Sequence, residues 1–204
     1  DHGVVDAPGL SVDEAIARSS LWTFNKLGDA VNALDTLPAV WHGTTPDGRE
    51  IRSTHASMKG NRVGIYPWTT DDELKNLIGE PPALLCVGHT HIPLTRCLNG
   101  TRVVNVGSAG LPFDGNPCVS YAQITFNRGE WDVEIIRLEY DRAQAEHDHF
   151  ETGYYDEGGP LAKLVVEELR TAKSAIFQWS EKYEKAVRAG EIEIEESVRR
   201  FLGE

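Results

Sequence analysis

"ALLCVG", residues 83–88, is an uninterrupted apolar run closed by a glycine, and it limits the folds open to this chain more than any other stretch. A strand with one wet face alternates polar and apolar residues. An unbroken short run suits a strand buried on both faces, as in a sheet covered by helices. The chain leaves this run through "GHTH", residues 88–91. Two histidines thus stand two apart at the end of a buried strand, where ligands collect in open α/β sheets.

The flanking patterns supply the rest of such a sheet. "AVWHGTT" (39–45) and "GREIRSTHAS" (48–57) read as strands joined at Pro46-Asp47-Gly48. "LTRCL" and "TRVVN" flank Asn99-Gly100, a strong hairpin signal. "VSYAQITF" and "WDVEIIRLEY" flank Asn127-Arg128-Gly129, a second hairpin. Thr70 with Glu73 forms a capping-box pattern for a short helix to about residue 78, and Ser11 with Glu14 forms another at the start of a helical stretch interrupted by Gly28. Residues 141–159 are polar and read as irregular. Residues 160–187 read as one long amphipathic helix, and 192–202 as a short closing helix. The order helix-rich, strand-rich, helix-rich predicts a layered α/β (α+β) fold, with no internal repeat.

Composition narrows the function classes. With 32 Asp+Glu against 20 Lys+Arg, the net charge is −12, and no cluster of Lys and Arg offers a grip on nucleic acid. An anionic substrate needs local positive charge here, which bound metal ions would supply. Cys86, Cys97 and Cys118 include no CxxC pair, so buried free thiols in a reducing cytoplasm are expected. No apolar run reaches the length of a membrane span, and no signal peptide is visible.

Seven histidines are the candidate ligands. In an extended segment, residues two apart share a face, so His89 and His91 would converge on one ion or on two close ions. Gly88 allows close backbone approach. The alternative is a polar loop that contains two imidazoles. His55 ends a strand-like run among small polar residues. It is either a surface loop residue or a third ligand. His147 and His149, in "EHDHF", have the same spacing but no strand before them, which favours a solvated charged loop. His42 follows Trp41 in a strand and reads as structural. No G-x-S-x-G, Walker A or G-x-G-x-x-G pattern is present.

The ordered blocks Gly88-His89-Thr90-His91, Asn105-Val106-Gly107-Ser108-Ala109-Gly110 and Ser120-Tyr121-Ala122, with His55 in "STHAS" upstream, resemble the C-terminal portion of a calcineurin-like metallophosphoesterase of the small bacterial and archaeal branch. The resemblance covers about residues 1–140. It implies a layered β-sandwich flanked by helices, incomplete at its N-terminus. Residues 141–204 would be a helical extension packed on that core. It further implies two divalent transition-metal ions (Mn, Fe, Zn or Ni), with His55 and His89 on one and His91 on the other, activating a hydroxide that attacks a phosphomonoester or phosphodiester.

The family's D-x-H, G-D-x-x-D and G-N-H-D/E blocks, which carry the remaining ligands and the catalytic groups, are not in these 204 residues. Asp1 would be the last residue of such a G-N-H-D block, and a companion N-terminal segment is expected. Val106 replaces the usual Pro, and Phe113 stands where an Arg often follows Pro112. The expected partner is a small phosphorylated substrate, in the cytoplasm. A homo-oligomer is compatible with the sequence, whereas nucleic acid and membrane are not indicated. Two alternatives stay open: a non-catalytic scaffold of the same fold binding a protein partner, and a mononuclear zinc site built from His55, His89 and His91.

Overall fold

The computed structural model describes residues 12–204. In chain order the helices are α1 (Val12–Leu27), α2 (Val31–Leu34), α3 (Asp71–Ile78), α4 (Arg142–Glu151), α5 (Tyr154–Glu157), α6 (Ala162–Thr171), α7 (Ala175–Trp179), α8 (Lys185–Arg188) and α9 (Ile194–Leu202). The strands are β1 (Val40–Thr44), β2 (Glu50–Thr54), β3 (Leu84–Val87), β4 (Leu94–Leu98), β5 (Thr101–Asn105), β6 (Val119–Asn127) and β7 (Glu130–Leu138). The described residues form two compact units. One is Thr36–Tyr140; the other joins residues 12–35 to Asp141–Glu204.

The first unit is mixed α/β. Its five-stranded sheet has the order β1-β2-β3-β5-β4. The inner three strands, β2, β3 and β5, run parallel, while β1 and β4 close the edges antiparallel. Parallel neighbours need a crossover, and α3 lies in the connection from β2 to β3. The capping box expected at its start is formed: Thr70 accepts from the Glu73 amide, and Glu73 accepts from the Thr70 amide. Leu74, Leu77 and Ile78 of α3 pack with Leu85, Val87, Val103 and Ile65. Each such buried side chain contributes about 1.5–3 kcal/mol.

β4 and β5 turn at Asn99-Gly100, both at positive φ, the primed geometry that matches strand twist. β6 and β7 pair separately as a two-stranded ribbon, turning at Arg128-Gly129 with the same signs of φ. Cys86, Cys97 and Cys118 are free thiols. Burial pushes the Cys86 thiol up to about 11, whereas Cys97, expected to be buried, is exposed on edge strand β4.

The second unit is helical and differs from expectation in three places. A division at residue 140 assigns α1 to the sheet domain, yet α1 packs with the C-terminal helices. Ala15 sits in one cluster with Leu161, Leu164, Trp179, Ile194 and Val198. Ser19 Oγ bonds Tyr154 OH at 2.6 Å, and Trp22 Nε1 donates to Glu157 at 2.8 Å.

Residues 142–151 are helical rather than irregular. Asp141 caps that helix by accepting from the Gln144 amide, and polar pairs such as Gln144–Asp148 stabilise it without an apolar stripe.

The long helix expected over 160–187 is broken. Ala172 takes a left-handed φ of 53°, Ser174 caps a new helix, and a π-helical turn at residues 180–184 separates α7 from α8. Buried Glu168 drives the break by accepting from the Ile176 amide at 3.0 Å and the Ser174 hydroxyl at 3.2 Å. The capping box read at Ser11 lies outside the described residues. No helix of the described residues is long and apolar enough to cross a membrane.

Burial pushes the Glu168 carboxyl up from 4.5 to about 7, against the hydrogen bonds it accepts. Between those values the folded chain holds a proton that the unfolded chain releases. The contribution is therefore full below pH 4.5 and lost as pH rises through about 7. Relative to Glu168→Gln, the natural protein should lose stability over this window, by at most about 1.4 kcal/mol per pH unit. Urea midpoints of both proteins at about pH 5 and about pH 8 test this, and parallel behaviour would contradict it.

Candidate metal centre

The three parallel strands end side by side, and each end carries one block of the candidate site. His55 follows β2, Gly88–His91 follow β3, and Asn105 closes β5. The Gly88 amide donates to the His55 carbonyl at 2.9 Å, which carries the β2–β3 pairing into both loops.

The expectation of an extended segment through "GHTH" is not met. His89 and His91 have φ of 66° and 57°, both in the left-handed region. The Thr90 amide donates back to the Gly88 carbonyl at 2.8 Å, closing a three-residue turn about His89. Left-handed backbone costs an L-residue roughly 1–2 kcal/mol, so the surrounding structure must hold this loop.

Asn105 holds it. The side chain is fully buried, and its amide donates to the Gly88 carbonyl and to Thr90 Oγ1, both at 2.8 Å. Its carbonyl accepts from the Gly107 amide at 2.9 Å. Gly107 has φ of 80°, and a Cβ there would stand 2.0 Å from Ser120 Oγ. Ser120 in turn donates to the Val106 carbonyl and accepts from the Ser108 amide, tying the ribbon to the loop after β5. On the other side Gly64 packs against the histidine loop. A Cβ there would lie 2.6 Å from Thr90 Cγ2 and 3.0 Å from His89 Cδ2. In the sequence, Asn105 and Ser120 stand out only within the motif blocks. For Gly64 the sequence offers no signal beyond a glycine in an irregular stretch.

The turn brings His55 and His89 together: His55 Nε2 and His89 Nδ1 are 3.1 Å apart, with the rings edge to face. His91 makes a contact of its own. Its Nδ1 bonds the Leu111 carbonyl at 2.6 Å. A carbonyl only accepts, so Nδ1 carries the proton and Nε2 keeps its lone pair. Phe113 stacks on the His91 ring at 4.6 Å between centroids, and its amide donates to the His91 carbonyl. The residue that departs from the family's Arg therefore clamps a histidine. Burial lowers the pKa of His89, with the neighbouring His55 and His91 adding to the effect. Burial also lowers that of His91, opposed by the Leu111 bond. Both shifts favour the neutral ring, the form whose lone pair a metal can take.

The other histidines lie elsewhere. His42 bonds Glu50 across the β1–β2 pair at 2.9 Å. His147 and His149 sit on α4 rather than in a loop, with His149 Nδ1 bonded to the Ala145 carbonyl. His2 lies outside the described residues. Among the described residues, no group of three or more His, Cys, Asp or Glu is gathered as a metal cage. An open groove of about 580 Å³ runs beside His55, lined by Leu37, Trp41, Thr54, Cys86 and Val106.

Residues 30–129, which hold all three histidines and Asn105, match the family model of the calcineurin-like phosphoesterase superfamily domain. This part of the chain belongs to that superfamily. The protein MJ0912 of Methanocaldococcus jannaschii, itself uncharacterized, is 27% identical over 164 residues, covering 71% of this chain and 64% of that relative. The crystal structure of the hypothetical protein PH1004 of Pyrococcus horikoshii aligns with a TM-score of 0.61 at 22% identity, over 75% of this chain and 58% of that one. A metallophosphoesterase of Sphaerobacter thermophilus aligns with a TM-score of 0.60 at 23% identity, over 83% and 72%. These two likenesses establish the fold. The chain spans less than two thirds of the length of MJ0912 and of PH1004.

In this calcineurin-like domain the Asn105 network should decide whether the histidine loop forms. Asn105→Ala removes the side-chain donor to the Gly88 carbonyl and the Thr90 hydroxyl and leaves the buried Gly107 amide without its acceptor. A loss of about 2–4 kcal/mol in urea unfolding is expected. Stability within about 0.5 kcal/mol of the natural protein would contradict the assignment.

Proposed function

We propose that the protein is a metal-dependent phosphoesterase that hydrolyses a small phosphomonoester or phosphodiester with two divalent transition-metal ions. His55 and His89 are proposed to face one ion and His91 the other. The observation that carries this reading is the convergence of His55 and His89 at the ends of two adjacent parallel strands, 3.1 Å apart, inside a phosphoesterase superfamily domain.

The donor chemistry fits. Neutral imidazoles suit Fe, Zn or Ni better than Mg or Ca, and carboxylates completing such a cage would admit Mn. The Leu111 bond orients His91 as metal-bound histidines are usually oriented, through the nitrogen that does not ligate. When bound, such ions polarise the phosphoryl group and activate the attacking water. The chain's own contribution is orientation: Asn105 fixes the loop, the Leu111 carbonyl fixes the His91 tautomer, and Phe113 fixes its ring. The imidazoles supply only part of a two-ion cage, which needs carboxylate ligands besides them. Three free thiols support a cytoplasmic setting.

A second reading, a non-catalytic scaffold, is favoured by one observation: among the described residues no cage of three or more ligands is assembled. Metal content and hydrolysis separate the two. For the protein expressed from its full reading frame, we expect bound Mn²⁺ and cleavage of p-nitrophenyl phosphate or its diester. His89→Ala and His91→Ala should each lose metal and lower kcat/KM by about 100-fold or more, as expected when a metal ligand is removed. Full activity in both variants would overturn the assignment. A natural protein that binds no metal would favour the scaffold.

A further inference from the structure

Trp68 is 68% exposed, whereas Trp179 is 1% exposed. Tryptophan usually buries most of its large ring, so its display in the loop beside the histidines calls for an explanation.

The display is built rather than incidental. Ile65 is fully buried and anchors the loop. Residues 66–69 then form a turn in which the Thr69 amide donates to the Tyr66 carbonyl at 3.1 Å and the Tyr66 amide donates to Thr69 Oγ1 at 2.9 Å. Pro67 occupies the second position, where its fixed φ suits a turn. Arg96 donates to the Thr69 carbonyl and pairs with Asp71, fastening the turn to β4. Tyr66 stacks on Trp68 at 4.9 Å and 22° and backs one face of the indole.

The turn also adjoins the candidate centre. Gly64 is wedged between the two: a Cβ there would lie 3.0 Å from the His89 ring and 3.4 Å from the Tyr66 ring. A cleft of about 390 Å³ opens at this point, lined by Val63, Gly64, Tyr66, Trp68, Glu73 and Asn76. Trp41, the other exposed tryptophan near the histidines, is different. Its ring folds over Gly43, where a Cβ would stand 2.4 Å away, so its surface is partly spent on its own strand.

We propose that Trp68, braced by Tyr66, is a subsite for a planar aromatic ring on the leaving group of a phosphate ester bound at the histidine centre. This inference rests on the phosphoesterase reading. A rigid turn loses little conformational freedom on binding, and stacking on an aromatic side chain tolerates any planar ring with a π-face. The subsite selects for a ring and against short alkyl esters. The phosphoryl group itself is left to the histidine end.

The test uses two phosphonates with the full-length protein and Mn²⁺: phenylphosphonate and methylphosphonate, titrated calorimetrically. Phenylphosphonate should bind about tenfold more tightly, a factor worth about 1.4 kcal/mol. Trp68→Ala should reduce that preference to within about twofold, leave methylphosphonate affinity and the thermal midpoint unchanged, and Trp68→Phe should restore most of the preference. Equal affinities in the natural protein, or a preference that survives Trp68→Ala, would overturn the subsite while leaving the phosphoesterase reading intact. Loss of both ligands in Trp68→Ala would show a structural role and overturn it too. If the natural protein binds neither phosphonate, the phosphoesterase reading fails and the subsite falls with it.

Discussion

One buried amide holds the candidate centre together. Asn105 is sealed from water, and its two donors and one acceptor reach Gly88, Thr90 and Gly107. Through those bonds the end of β5 dictates the shape of the loop that follows β3. That loop carries two histidines in left-handed conformations, which a free chain would not adopt. Without the amide, the loop has no reason to turn His89 toward His55, and β2 and β3 would end beside each other without convergent side chains. The apolar packing of α3 on the sheet stabilises the unit, but the Asn105 bonds give its edge chemical character.

Much of this was legible in the sequence. The apolar run before Gly88 predicted a strand buried on both faces, and β3 is the middle strand of five. Asn99-Gly100 predicted its hairpin because positive φ at consecutive residues is a local demand that few residue types meet, and Gly129 marked the second turn. The capping box at Thr70 predicted the start of α3 for the same reason: both partners lie within one turn.

What the sequence concealed depends on distant partners. Periodicity cannot show that Glu168 reaches the next helix and breaks the stripe at Ala172. Nor can it show that polar residues 142–151 are helical, since their cap and side-chain pairs leave no apolar face to read. The histidine loop is the most instructive case. The spacing of His89 and His91 implies an extended segment, where the structure has a tight turn. Gly64 and the role of Phe113 were invisible, for both are contacts made only in three dimensions.

The metal position proposed at the strand ends is open to direct observation. Crystals of the full-length protein grown with Mn²⁺ and measured near the manganese absorption edge would locate each ion. We predict two anomalous peaks about 3.5–4 Å apart, one beside His55 and His89 and the other beside Nε2 of His91. Density free of such peaks at these residues, or manganese bound only at His147 and His149 on α4, would contradict it.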